Sequence, residues 1–302
     1  MDIRLDKLIY PVFVKNGKES VEEISSMPGV FRFSPDALVE EVDGLSRAGL
    51  KNILIFGIPD TRDPKGTSAY AEDNIVSGTI KKIKKDFPGI TVFTDVCLCA
   101  YTSHGHCGVI QKSESRIDNS ATLQALSEMA VSHARAGADY VSPSAMAANQ
   151  VKAIRETLDK RGLTNTRIMG YSSKFASNAY GPFREIADSS PRFGDRKGYQ
   201  LDYTAKETAL SKIEQDIADG ADIVMVKPVL WYLDIVSEAK RRFNYPLAGY
   251  NVSGEYAMIK SGARLGWWSE KEMVFEIISS IKRAGADLII TYHAKDIAKW
   301  VK

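Results

Sequence analysis

With 302 residues, 44% of them apolar and 26% charged, the chain has the composition of a soluble globular protein with an ample core, long enough for one large α/β barrel or two ordinary domains. A formal net charge of +2 with no block of like charges points away from nucleic acid and anionic membranes, and Lys81-Lys82-Ile83-Lys84-Lys85 has the spacing of a solvated helix face. The opening Met1-Asp2-Ile3-Arg4-Leu5-Asp6 carries acids where a signal peptide carries bases, and no apolar run reaches membrane-spanning length, so the cytoplasm is the expected compartment.

Short apolar, β-branched runs alternate with amphipathic segments of helix length. In chain order the predicted strands are 8–14, 52–58, 91–97, 140–144, 167–172, 222–227, 247–252 and 288–292. A recurring junction precedes several of them: Ala48-Gly49-Leu50-Lys51, Ala136-Gly137-Ala138-Asp139, Asp219-Gly220-Ala221-Asp222 and Ala284-Gly285-Ala286-Asp287. Glycine at a helix C-terminus followed directly by a buried strand is the chemistry of an αβ loop. Alternating strands and helices imply parallel pairing through right-handed crossovers. Eight such units without a Gly-rich dinucleotide turn predict a closed (β/α)8 TIM barrel, a single domain over residues 1–302. The polar segments 60–73 and 189–202 read as loops over one face.

Active sites of such barrels lie at the C-terminal ends of the strands, and the reactive residue types of this chain gather there. Asp95 and Cys97 end one predicted strand, and Ser142 and Ser144 the next. Ser172, Ser173 and Lys174 follow another, Lys227 ends Ile223-Val224-Met225-Val226, Ser253 follows Tyr250-Asn251-Val252, and Tyr292 ends the last. The three cysteines, Cys97, Cys99 and Cys107, fall within eleven residues. Cys97 and Cys99 alternate along a strand end, so both thiols should face one side, and Gly105 gives the loop room to bring Cys107 back. Three converging soft thiolates suit Zn2+ and leave a fourth position for water or substrate. The bland alternative is buried thiols packed as small hydrophobes; an odd, clustered set is not a secreted disulfide framework.

Lys227, on an apolar strand before Pro228, should be desolvated, and Lys174 could serve as a neighbouring cation. Both effects lower an amine pKa and free its lone pair for attack on a carbonyl. Most lysines after strands are instead solvated loop residues. Between the two lysines, Phe175 to Glu185 and Gly194 to Gln200 interleave glycines, aromatics and arginines, the composition of a mobile lid with carboxylate clamps or of a solvated basic loop.

Several long motifs in order resemble those of the porphobilinogen synthase (5-aminolevulinate dehydratase) family. They include Leu8 to Val14, Met27 to Val30, Asp95 to Gly108, Tyr171 to Ser177, Tyr180 to Glu185, Gly194 to Lys197, Met225 to Pro228, Val252 to Met258 and Ile281 to Leu288. The resemblance implies a (β/α)8 barrel that condenses two 5-aminolevulinate molecules to porphobilinogen with loss of two waters, in tetrapyrrole (haem) biosynthesis. It makes Lys227 the Schiff-base lysine, Lys174 the second active-site lysine and Asp95 an acid near the substrate amine. Cys97, Cys99 and Cys107 match the ligands of the zinc-dependent branch, one catalytic Zn2+ per subunit. Ser253 and Tyr292 match the pair holding one substrate carboxylate, Arg184, Arg196 and Gln200 the lid residues clamping the other, and Ser144 lies among the substrate-binding residues.

Four positions depart from the family pattern. Met1 stands seven residues before Leu8, where the family carries an arm that grips a neighbouring subunit, so a dimer is expected in place of an octamer. Lys212 stands where many bacterial members have a glutamate for an allosteric Mg2+, and no such ion is expected. Ala147-Ala148-Asn149 replaces Met-Asp-Gly, and His293 follows Tyr292 where an aromatic is common. The alternatives are a paralogue with altered substrate, a class I aldolase, which the thiols argue against, and a non-catalytic zinc-binding descendant, which both lysines and both clamps argue against.

Overall fold

Each barrel strand reads apolar on both faces because one face meets the barrel interior and the other meets helices. A computed structural model describes residues 3–111 and 116–301. Its strands are β1 (Leu8–Lys15), β2 (Val21–Glu23), β3 (Phe31–Phe33), β4 (Asn52–Ile58), β5 (Thr91–Val96), β6 (Tyr140–Pro143), β7 (Arg167–Lys174), β8 (Ile223–Lys227), β9 (Leu247–Asn251) and β10 (Leu288–Thr291). The sheet order is β10-β9-β8-β7-β6-β5-β4-β1-β3-β2, and β10 also pairs with β1. Strands β1 and β4 to β10 thus close a parallel eight-stranded barrel, with helices in the connections. No helix of the described residues is long and apolar enough to cross a membrane.

Alternation along the strands separates two cores. Leu8, Tyr10, Val12 and Val14 of β1 belong to the layer between strands and helices, and Ile9 and Phe13 to the barrel interior. Leu54 and Phe56 of β4, Met169 and Tyr171 of β7, Met225 of β8, Tyr250 of β9 and Ile290 of β10 share that interior.

The junction glycines Gly49, Gly137, Gly220 and Gly285 all take left-handed φ, from 92° to 116°, which ends each helix and redirects the chain into its strand. The aspartate that follows has its own task. The carboxylate of Asp139 accepts from the Val92 amide (2.7 Å), that of Asp222 from Ile168 (2.8 Å) and that of Asp287 from Leu247 (2.9 Å). Each pins a strand start to its neighbour at the barrel's N-terminal end.

Seven of the eight predicted strands match to within a residue at either end. Strand β6 stops one residue before Ser144, and β7 runs two residues further than predicted, through Ser173 and Lys174. The hairpin β2–β3 has no counterpart in the predicted elements, because three-residue strands are too short for a periodic signal. It extends the sheet beside the C-terminal half of β1.

Candidate active site

Asp95 on β5 and Lys227 on β8 are in phase with the inward-facing Phe93 and Met225, whereas Lys174 is out of phase with Met169 and Tyr171 and reaches the same C-terminal mouth through an irregularity of β7 between Gly170 and Ser173. Lys174 and Lys227 are register partners across β7–β8. Both are buried, as is Ser144 just beyond β6. The Lys174 ammonium donates to the Ser144 carbonyl at 2.6 Å. A small closed cavity at this mouth is lined by Asp95, Cys99, Ser144, Lys174, Arg196 and Lys227, with Phe56, Tyr180 and Phe183 as its apolar walls.

Lys227 Nζ sits in an aromatic box, 4.1 Å from the Tyr250 ring centroid, 5.0 Å from Tyr171 and 5.4 Å from both Tyr180 and Phe183. Lys174 Nζ lies over the same Tyr171 ring at 5.7 Å. Burial, and then the Lys174 charge, push the Lys227 amine down to about 7. Burial pushes the Asp95 carboxyl up, while a hydrogen bond from Ser144 and the two lysines work the other way. Tyr250 and Tyr171 were not singled out in the sequence. They stand two residues before Asn251's successor Val252 and before Ser173 respectively, on inward-facing positions just below the lysine layer, and that parity is the signal for them.

The three thiols converge, though by a different route from strand alternation. Strand β5 ends at Val96, and the chain then turns: the Tyr101 and Thr102 amides both bond the Leu98 carbonyl, at 2.8 and 2.9 Å. That turn brings Cys97 Sγ and Cys99 Sγ to 3.4 Å, and Cys107 Sγ joins them with all three sulfurs within 4.8 Å of one another. Buried thiols this close, all free, form a soft donor set of the right size and chemistry for Zn2+. Packing as small hydrophobes would not require the sulfurs to meet.

The segment over the mouth comprises the short helix Gly181–Ile186 and residues 187–202. Among the described residues, Asp95 Oδ1, Ser142 Oγ, Tyr171 OH, Arg184 Nε, Arg196 Nε and both amide atoms of Gln200 are buried without a hydrogen-bond partner. Buried polar atoms are normally paired, so a cluster of orphans on one face of a barrel marks a place built for a polar ligand. Arg184, Arg196 and Gln200 belong to that set. Ser253 and Tyr292 are already engaged: Ser253 Oγ accepts from the Phe183 amide (3.1 Å) and donates to the Ala179 carbonyl (3.3 Å), and Tyr292 OH meets Tyr250 OH at 3.2 Å. The small cavity therefore brings together six of the predicted site residues and leaves Arg184, Gln200, Ser253, Tyr292, Cys97 and Cys107 outside its wall.

The departures have local explanations. Asn149 takes φ 62°, a left-handed conformation that asparagine tolerates far better than most residues, so it can stand in for glycine there. His293 is fully buried beside the Tyr256 ring, 4.4 Å between centroids. Lys212 places its charge near the buried Asp216 carboxyl.

Residues 1–300 match the family model described as delta-aminolevulinic acid dehydratase. The chain is 50% identical over 293 residues to the delta-aminolevulinic acid dehydratase of Bacillus subtilis (strain 168), covering 97% of this chain and 90% of that one. It is 49% identical over 294 residues to the enzyme of the same name from Archaeoglobus fulgidus, again with 97% and 90% coverage. Its fold superposes with a TM-score of 0.97 on the crystal structure of delta-aminolevulinic acid dehydratase (porphobilinogen synthase) from Toxoplasma gondii ME49 in complex with the reaction product porphobilinogen. Identity there is 41%, over 99% of this chain and 85% of that one.

Proposed function

The chain belongs to the delta-aminolevulinic acid dehydratase family, and from that premise we propose that it makes porphobilinogen from two molecules of 5-aminolevulinate through an iminium on Lys227, with zinc held by Cys97, Cys99 and Cys107. The observation that carries the reading is Lys227 itself: a buried amine, brought to about 7 and boxed by four aromatic rings, at the mouth of a barrel beside three converged thiols.

At neutral pH about half of such an amine is unprotonated and nucleophilic. Its lone pair adds to the substrate ketone; a proton then moves to the oxygen, and loss of water leaves the iminium, which acidifies the adjacent carbon. The faces of Tyr250, Tyr171, Tyr180 and Phe183 stabilise that cation and keep water off it. Lys174 holds the Ser144 carbonyl and supplies the neighbouring positive charge. Asp95, whose Oδ1 is unpartnered among the described residues, is placed to accept from the amine of a bound substrate. Arg184, Arg196 and Gln200 offer donors to a carboxylate, fixing the orientation on which an asymmetric condensation of two identical molecules depends. When bound at the three thiols, zinc supplies a Lewis acid that polarises a substrate oxygen.

Borohydride added during incubation with 5-aminolevulinate tests the assignment. Peptide mass spectrometry should find the reduced adduct on Lys227; an active enzyme that yields the adduct only elsewhere, or no adduct, refutes it.

A further inference from the structure

The loop between Cys99 and Cys107 and the segment over the barrel mouth are joined more closely than packing alone requires. The Arg192 amide donates to the His104 carbonyl at 3.0 Å, and Arg196 Nη2 donates to the Gly105 carbonyl at 2.9 Å. His106 spends both ring nitrogens on the same segment: Nε2 lies 2.9 Å from the Phe193 carbonyl and Nδ1 3.2 Å from the Tyr199 hydroxyl. A carbonyl only accepts, so Nε2 carries the proton in its bond to Phe193. The Phe193 ring also rests on the His106 ring, 4.8 Å between centroids. Gly105 lets the two backbones touch: a Cβ there would stand 2.2 Å from the Ser190 carbonyl oxygen. Three consecutive residues of the loop are thus bonded to four residues of the segment that carries Arg196 and Gln200.

We propose that His106 is a positioning residue that latches residues 189–200 to the thiol loop, so that metal at the three cysteines and a carboxylate in the Arg196–Gln200 clamp bind cooperatively. The inference rests on the zinc reading above and adds a coupling to it. The latch residues His104, Gly105 and His106 end directly at Cys107. Fixing Cys107 in a metal complex therefore removes the freedom the loop would otherwise have, and the segment bonded to it is ordered at lower cost. Linkage makes the effect reciprocal: if metal tightens carboxylate binding by some factor, the carboxylate tightens metal binding by the same factor.

The test uses the full-length protein, stripped of metal and then loaded with one zinc per chain, without substrate. Amide hydrogen exchange should slow across 189–200 on zinc loading, by about tenfold at Arg192, a coupling of ordinary size. His106→Phe should still take up one zinc per chain yet lose that protection, and its KM should rise about tenfold with kcat changed far less. His106→Gln, which keeps a donor for the Phe193 carbonyl, should recover part of both. Adding 4-oxopentanoate, a keto acid lacking the amine, should raise zinc affinity in the parent by a factor that falls towards one in His106→Phe. Zinc bound at full stoichiometry with exchange of 189–200 unchanged overturns the latch and leaves the function standing. Equal coupling in parent and His106→Phe overturns it too. Failure of the thiols to bind zinc overturns both readings.

Discussion

The displaced pKa of Lys227 sets a quantitative expectation for the pH dependence of iminium formation. Against an ordinary lysine near 10.5, a value of about 7 raises the neutral fraction at pH 7 from roughly 3 in 10,000 to about one half, some 1,600-fold. The perturbation is pH, with Lys174→Met as the second variable. The enzyme is incubated from pH 5.5 to 10 with 4-oxopentanoate, which stops at the iminium, and each sample is quenched into borohydride at one fixed pH. Initial adduct formation on Lys227, quantified by mass spectrometry, should rise to a plateau with its midpoint near 7. Lys174→Met should move the midpoint upwards, since the Lys174 charge is the second cause of the depression, but not to 10.5, since burial is the first. The same displacement costs the fold roughly 5 kcal/mol below pH 7, where the amine is charged in both folded and unfolded chains, and the cost fades as pH rises from 7 to 10.5. Lys227→Met should therefore be inactive yet more stable than the parent at neutral pH, by an amount that shrinks in alkali. A midpoint above 9, or a Lys227→Met protein less stable at pH 7, would refute the reasoning.

Gly254→Ala would place a Cβ 2.5 Å from the Ala179 carbonyl oxygen and 2.7 Å from its Cα, forcing Ser253 away from the segment over the mouth. KM should rise with the barrel's circular dichroism unchanged. Asp222→Ala strips the Ile168 amide of its carboxylate partner at the barrel's N-terminal end and should lower unfolding free energy by about 1–2 kcal/mol without altering kcat. Gly57→Ala sets a Cβ 2.2 Å from the Tyr101 hydroxyl and 2.6 Å from a Val76 methyl carbon, and overpacking of this kind should cost about 1–3 kcal/mol in denaturant titration.

The barrel is legible because its strands are long enough to show a pattern and its junctions repeat. Eight apolar runs and four Gly-containing turns suffice for topology, and parity sends Lys227 into the mouth, but Lys174 is out of phase with Tyr171 and joins it only through the irregularity of β7 between Gly170 and Ser173. What escaped was contact chemistry. The junction aspartates are visible in the sequence, but their amide partners lie on the neighbouring strand, 40 to 54 residues away. The aromatic box needs Tyr171, Tyr180, Phe183 and Tyr250 from four separate elements to meet at one amine. The thiols converge by a route that strand alternation does not describe, since a turn after Val96, not an extended strand, brings Cys99 to Cys97. The His106 latch depends on residues some ninety positions apart, and local spacing carries no trace of it.

The central claim, an amine at Lys227 working beside zinc at three thiols, is tested most directly by metal reconstitution. Protein stripped exhaustively of metal, with the loss verified by elemental analysis, is incubated with 5-aminolevulinate, and the pyrrole product is read colorimetrically as metal is returned. The account predicts a folded but inactive barrel whose activity returns in proportion to zinc bound, up to one ion per Cys97–Cys99–Cys107 set, and not with magnesium. Full pyrrole formation by the metal-free protein, or recovery with magnesium alone, would contradict it.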